Sequence, residues 1–449
     1  MGTRTGQIRS RRVKTGSGVV RRMQRCMPEG VATVLQRLDA AGAQSFVVGG
    51  AVRDLFLGRP LGDWDVATDL RPEQITELFT RVAPIGIEHG TVMVLTRTGP
   101  VEVTTFRGDG EYVDGRRPSR VVFHTDLEVD LGRRDFTVNA MAARRVVVDP
   151  FGGQVDLNRR LIRCVGDAKE RFAEDGLRPL RALRFAATLG FFVEKATRAA
   201  LPAALPTFAK VAWERKRIEL FKLLCGVSLK PLFLLEESGM LEQLAPELFG
   251  VNARLVAMLE GAPPGWARLA CWALARQVSP GGCRTILARL RAPKREQRMA
   301  ENWLVANLDL GSKPPAGCEL RRWLSRFGVE DAPAAALVAR AWKGQRYLQF
   351  PTSVRQAIRV APPLNVADLA INGRTVEDLG FAGKEVGLVL GSCLNFVLER
   401  PSRNRRRTLL EFAHRLSTGR SQQKNNTFFS PPIGFSDPRD PSLERDDDT

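Results

Sequence analysis

The texture of the chain changes once, at Asp149-Pro150-Phe151-Gly152-Gly153-Gln154-Val155-Asp156-Leu157, and that change limits the folds open to it. Before it, helical and strand patterns alternate. Val31 to Ala41 has helical spacing, Ser45-Phe46-Val47-Val48 is a short apolar strand ending in glycine, and Asp63 to Ala67 alternates; Pro72 to Phe79 is helical, and Thr91 to Thr96 and Val101 to Phe106 are strand-like. After it, strand signals fade. Glu170 to Leu189, Ala196 to Leu205, Trp213 to Cys225 and Leu229 to Ser238 carry apolar residues three and four apart. The pattern predicts an α/β head followed by an all-α remainder. At 449 residues the chain exceeds one compact core, and Pro/Gly breaks at 262–265 and 311–315 suggest joints between helical subdomains.

Charge and composition narrow the function. Lys and Arg number 68 against 49 Asp and Glu, a surplus of +19 that favours a polyanionic partner. No run of about 18 apolar residues occurs and no secretory signal opens the chain, so a cytoplasmic protein with no membrane partner is expected. The seven cysteines are scattered singly and only three histidines exist, which leaves metal chemistry to carboxylates. Residues 1–28 carry eight Arg/Lys and no acid, and are expected to form a disordered basic arm in preference to an organellar transit segment. Residues 107–120, RGDGEYVDGRRPSR, are expected to be a mobile loop, and the stretch from about 419 to be disordered.

The stretch GGAVRDLFLGRPLGDWD, residues 49–65, joins an anion-friendly turn to two acids one residue apart. On a strand, Asp63 and Asp65 would share a face while Trp64 and Val66 point inward. Glu102, between Val101 and Val103, follows the same logic and can join them as a third carboxylate. Hard oxygen ligands without His or Cys suit Mg²⁺, and two such ions form the clamp of nucleotidyl transfer. Gly49 and Gly50 let backbone N–H groups approach phosphate oxygens at a helix start, and Arg53 can grip the same triphosphate.

These residues, VGGAVRDLFLGRPLGDWDVAT, resemble the signature of class II tRNA nucleotidyltransferases, the bacterial and eukaryotic CCA-adding enzymes and their bacterial poly(A) polymerase relatives. The blocks GIEHGTVMVL, VEVTTFRGDGEYVDGRRP, DLGRRDFTVNAMA, DPFGGQVDL, ERFAEDGLRPLRALRFAATLGF and VAWERKRIELFKLL follow in the family's order, over about residues 45–225. DLAINGRTVEDLGFAGKEVG (368–387) is a weaker echo of the family's tail region, which contacts tRNA. The resemblance implies a DNA polymerase beta-like nucleotidyltransferase head with a mixed sheet over 29–150, a helical neck over 151–225 that selects the base, a helical body over 226–315, a tRNA-binding tail over 316–418 and a disordered end over 419–449. It implies Asp63 and Asp65 as metal ligands, Glu102 as third carboxylate or general base, and Arg134, Asp135 and Asn139 in the nucleotide site.

In Glu174-Asp175-Gly176-Leu177-Arg178 the family uses the Asp and the Arg as a template for the incoming base. On one helix Asp175 and Arg178 would share a face, and Gly176 within it would cost about 1 kcal/mol relative to Ala. Cytosine and adenine both offer an amino donor beside a ring-nitrogen acceptor, which an Asp–Arg pair fits; guanine and uracil do not. Arg181 is implied in base or triphosphate binding, and Arg184, also placed in the nucleotide-binding set, in bracing the helix. Departures at Ala212 and Lys216 predict altered neck packing. The implied activity is addition of CCA to tRNA 3′ ends from CTP and ATP, with A-only addition, poly(A) tailing or a catalytically inactive RNA-binding protein as alternatives. Arg403, Arg405, Arg406 and Arg407 are candidate tRNA contacts. Oligomeric state is not readable from the sequence.

Overall fold

The computed structural model describes residues 17–83, 90–109 and 121–422. They divide into two units, one running to Pro314 and including Asp331–Pro351, the other comprising Pro315–Glu330 and the residues from Thr352 onward.

The first unit opens with helix α1 (Ser17–Cys26), where the sequence suggested a disordered arm. The correction has a simple cause: Val20 and Met23, three apart, are buried, and Arg22 Nη1 donates to the Leu55 carbonyl at 3.0 Å. Residues 1–16 lie outside the described residues. Helix α2 (Glu29–Ala40) buries Val31, Val34, Leu35 and Leu38, the i, i+3, i+4, i+7 stripe of an amphipathic helix. Strand β1 (Ser45–Val48) then enters the sheet and helix α3 (Gly50–Leu57) leaves it, ending at Gly58 in the left-handed region. Strand β2 (Asp65–Thr68), helix α4 (Pro72–Leu78), and strands β3 (Val82–Ala83), β4 (Thr91–Thr96) and β5 (Gly99–Thr105) follow.

Strand β6 (Arg107–Asp109) pairs antiparallel with β7 (Val121–Phe123), so the polar stretch expected to be loop from 107 begins as strand. The remainder of that expected loop lies outside the described residues, as do 84–89, the expected tail after 422 and His89. Helix α5 (Leu127–Gly132) and strands β8 (Ala142–Ala143) and β9 (Val147–Val148) complete the head. Its seven-stranded sheet has the order β3-β4-β5-β2-β1-β8-β9. The β2–β5 pair is parallel and the other pairs are antiparallel, which makes the sheet mixed, as expected.

Register assigns the faces. Val48 lies opposite both Asp65 and Ala142, and Phe46 opposite Ala67, so these side chains share one face. Val48, Ala67, Phe106, Leu127, Leu131, Ala140, Ala142 and Val165 form the core on that face. Val47, Val66 and Val103 point to the other face and are fully or almost fully buried.

From α6 (Gly153–Arg159) onward the unit is helical apart from the two-residue strands β10 (Leu161–Ile162) and β11 (Phe192–Val193). The helix expected over Glu170 to Leu189 is two helices, α7 (Ala168–Glu174) and α8 (Arg178–Leu189), broken at Asp175-Gly176-Leu177. The one expected over Ala196 to Leu205 is likewise divided into α9 (Lys195–Ala199), a 3-10 turn at Pro202–Ala204 and α10 (Leu205–Ala209). Helix α11 (Trp213–Leu224) packs along α8. Phe136 of the head meets Phe185 of α8 edge to face at 5.7 Å, joining sheet and helices in one core. Helices from Pro231–Glu237 to Lys294–Leu308, with Ala332–Lys343, complete this unit.

The second unit is helical. Its Gly317–Phe327 helix packs on Lys384–Glu399, with Arg321 Nε donating to the Leu398 carbonyl at 2.7 Å. Arg403 lies over Phe396 and bonds Glu399, and Arg407 pairs with Glu411, so two of the candidate tRNA contacts are engaged within the unit. No helix among the described residues is long and apolar enough to cross a membrane.

Candidate active site

The site is built where β1 hands over to α3. Gly49 has φ 70° and ψ −129°, a conformation that L side chains rarely adopt, and a Cβ there would stand 2.8 Å from Arg134 Nη1. The dihedral therefore requires glycine, and a Cβ would in addition push the tip of the Arg134 guanidinium aside. Gly50 is the first residue of α3.

Asp63 precedes the strand instead of lying on it, since β2 starts at Asp65. The alternation survives all the same: Asp63 is exposed, Trp64 buried, Asp65 half-buried and Val66 buried. Because Val66 pairs with Val103 in the parallel ladder, the preceding Asp65 and Glu102 are neighbours on the opposite face. Burial raises the Asp65 carboxyl above its ordinary value; Arg134 pulls it down and Asp63 pushes it up. Burial also raises Glu102, with the charges of Asp65 and then Asp63 adding and Arg107 opposing. The three acids therefore feel one another's charge. They do not form a closed cage: among the described residues no group of three or more His, Cys, Asp or Glu side chains is arranged to hold a metal ion. The donor chemistry nonetheless fits a hard divalent cation, because an all-oxygen set whose like charges raise its own carboxyls is relieved by positive charge between them.

Beside the acids runs a chain of paired charges. Arg53 is held bidentately by Asp54, Nε to Oδ1 at 3.0 Å and Nη2 to Oδ2 at 2.9 Å, and its Nη1 donates to Asn139 Oδ1 at 2.6 Å. Asn139 Nδ2 donates to Asp135 Oδ1 at 3.0 Å, and Arg181 donates twice to Asp135 Oδ2, at 2.9 and 2.6 Å. Burial pushes Asp135 up, but Arg181, the Asn139 amide and Arg178 outweigh it and hold the carboxyl at about 2. Arg181 Nη1 also lies 3.6 Å from Glu219, which accepts from Arg184 Nε at 2.8 Å. Arg184 thus braces α8 against α11. Asn139 and Asp135 are links in this chain, and Arg53 is engaged by protein groups.

The expected helical pairing of Asp175 with Arg178 is replaced by another arrangement. Asp175 caps α7 in an extended conformation, and Arg215 of α11 grips it, Nη1 to Oδ1 at 3.3 Å and Nη2 to Oδ2 at 2.9 Å. Arg178, the first residue of α8, donates to Glu174 and the Arg171 carbonyl through Nη1, and to the Arg133 carbonyl through Nη2 at 3.1 Å. Gly176 is not a helix-interior glycine. It sits in the break, where a Cβ would lie 2.4 Å from the Thr207 carbonyl oxygen. The atypical Lys216 is buried, with Nζ 4.5 Å from the Phe208 and Trp213 ring centroids and donating to the Ala209 carbonyl at 3.3 Å.

Sequence reasoning passed over Asp54, Asp130, Arg215 and Glu219, the residues that hold site side chains in place. Two of them, Arg215 and Glu219, lie in the VAWERKRIEL block, and their hydrogen-bonded partners are distant in the chain, Asp175 by 40 residues and Arg184 by 35.

Residues 45–163 match the Poly A polymerase head domain, and 190–250 match the family described as the probable RNA and SrmB-binding site of polymerase A. The CCA-adding enzyme of Geobacillus thermodenitrificans is 37% identical over 361 residues, which span 79% of this chain and 87% of that enzyme. The CCA-adding enzyme of Geobacillus stearothermophilus is 38% identical over 364 residues, with the same shares of each chain. In structure, the Bacillus stearothermophilus CCA-adding enzyme in complex with CTP superposes with a TM-score of 0.77 at 31% identity, covering 89% of this chain and 99% of that one. A head with this turn and these acids, matched at that identity over most of the relatives' length, settles the kinship: the chain belongs to the CCA-adding enzyme family.

Proposed function

We propose that this nucleotidyltransferase adds C, C and A in turn to the 3′ end of tRNA, using CTP and ATP, without a nucleic-acid template and with release of pyrophosphate. The observation that carries the reading is the placement of Asp65 and Glu102 side by side on the sheet, next to the Gly49 turn and Arg134. Asp63 and Asp65 are assigned as ligands for Mg²⁺. When bound, the ion supplies positive charge to the triphosphate and to the attacking hydroxyl.

The remaining work falls to this chain's own groups. The Gly49 N–H donates to the Met141 carbonyl at 3.1 Å, so the N–H groups offered to phosphate oxygens are those of the first turn of α3, from Gly50 on. Arg53 and Arg134 are positioned to neutralise the triphosphate, Arg53 by exchanging Asp54 for phosphate. Glu102 is assigned as the base that draws the proton from the tRNA 3′-hydroxyl as it attacks the α-phosphorus. Asp135 and Asn139 are assigned to the ribose side of the nucleotide. Asp175 and Arg178 are assigned to the base edge, with Arg181 alongside. The tail over 316–418 is assigned to tRNA, through phosphates and 2′-hydroxyls.

The test is incubation of purified protein with tRNA lacking its 3′ end, with CTP, ATP or both. Both together should give ends of C-C-A and no further growth. Addition of a single A alone, or of a long A tail, contradicts the reading.

A further inference from the structure

Asp130 takes no part in the reaction proposed above, yet it is a carboxylate with no exposed side-chain surface, in α5, beside the site. An ionised group so placed needs compensation, and two arginines supply it. Arg133 donates to Oδ1 from Nε at 3.0 Å and from Nη2 at 2.7 Å, so both of its bonds fall on one oxygen. Oδ2 is left for Arg134, whose Nη2 donates to it at 3.1 Å.

Arg134 depends on that contact. Among the described residues Asp130 is the hydrogen-bond partner of its side chain, while its Nε is buried and makes no hydrogen bond. The other end of the guanidinium, Nη1, fills the space that a side chain on Gly49 would take, and its charge reaches Asp65. One carboxylate oxygen therefore sets where the cation between turn and acid stands. Arg133 is separately anchored, since its carbonyl accepts from Arg178.

We infer that Asp130 is a positioning residue for nucleotide binding: it aims Arg134 into the gap between the Gly49 turn and Asp65, where the triphosphate of CTP or ATP is received. This rests on the function proposed above. Phosphate contacts are blind to the base, so the loss of Asp130 should weaken both nucleotides alike and leave the choice between them intact.

The test is a double-mutant cycle in the full-length protein, with kcat and KM for CTP and ATP measured separately on tRNA substrates. Asp130→Asn should raise KM for both nucleotides by about tenfold, the loss of roughly one charge-assisted hydrogen bond, with kcat changed less than about threefold. Placed on Arg134→Ala, which itself raises KM, Asp130→Asn should add less than about twofold, because it acts through the missing arginine. If Asp130→Asn does not fold by circular dichroism, Asp130→Glu keeps the charge and displaces it by one methylene, and should still raise KM for both. Wild-type KM in the folded Asp130 variant, or independent multiplying losses in the double variant, would overturn the inference while leaving the proposed function standing. Wild-type KM in Arg134→Ala would overturn the inference together with the assignment of Arg134 to the triphosphate, while C-C-A ends made by that variant would leave the proposed addition standing.

Discussion

Arg215 holds Asp175 with two nitrogens, at 3.3 and 2.9 Å, from a helix forty residues further along the chain. The carboxylate assigned to the base edge is therefore oriented by α11 together with the Leu177 N–H, which donates to its Oδ1 at 3.0 Å, and not by Arg178. Arg215→Met, which keeps the aliphatic stem and removes the guanidinium, should lower discrimination against UTP by about tenfold or more, the scale of one misaligned polar partner in a buried site. Competition between CTP and UTP for incorporation checks this. Unchanged discrimination would show that Asp175 keeps its place without Arg215.

Gly176 gives a prediction whose sign separates two structures. Inside a helix, Gly→Ala stabilises by about 1 kcal/mol. In the break observed here, a Cβ would meet the Thr207 carbonyl oxygen at 2.4 Å, and that atom belongs to backbone. Gly176→Ala should therefore destabilise by roughly 1–3 kcal/mol, read as a lowered Tm in thermal unfolding.

Asp135 links stability to pH. Its carboxyl is held at about 2 in the fold against an ordinary 3.8, so the native state binds the proton less readily than the unfolded chain. The contribution, about 2 kcal/mol, is complete above the unfolded value and is lost as pH falls through the folded one. Asp135→Asn should be less stable than the parent at neutral pH. The gap should narrow as pH is lowered from about 4 toward about 2, and urea unfolding across that range would follow it.

For Asp65 and Glu102 the shift is upward, from burial first and like charge after it for Glu102, so the sign reverses. Without a cation these acids oppose folding at neutral pH, and protonation relieves them as pH falls through their raised values. Magnesium should therefore raise Tm at neutral pH and progressively less in acid. Asp65→Asn should remove most of that magnesium-dependent rise.

How much of this was legible beforehand depends on distance along the chain. Strand β1 was readable to the residue, and the alternation of Asp63, Trp64, Asp65 and Val66 in burial matched its pattern, because short-range spacing reports directly on which face each residue of a strand takes. The break at Asp175-Gly176-Leu177 carried a local signal that the apolar spacing overrode: Pro179 stands in the first turn of α8, where a proline marks a helix start, and Gly176 lies just ahead of it against the Thr207 backbone. Distance along the chain does limit the charges. An arginine three residues from an aspartate suggests a pair, but Arg178 found Glu174 and Asp175 found Arg215 once α11 was packed on α8. Helix α1 was hidden for a different reason: eight basic residues in 1–28 masked the two apolar side chains, Val20 and Met23, that dock it.

The claim on which the account stands is that the acids beside the Gly49 turn drive nucleotidyl transfer. Its most direct measurement is single-turnover incorporation of labelled CTP into tRNA lacking its 3′ end, with magnesium present, comparing the parent with Asp65→Ala. The parent should extend the tRNA, and the variant should lose at least about a thousandfold in rate, in keeping with removal of a metal ligand at the reacting centre. Incorporation by Asp65→Ala at the parent's rate would contradict the account.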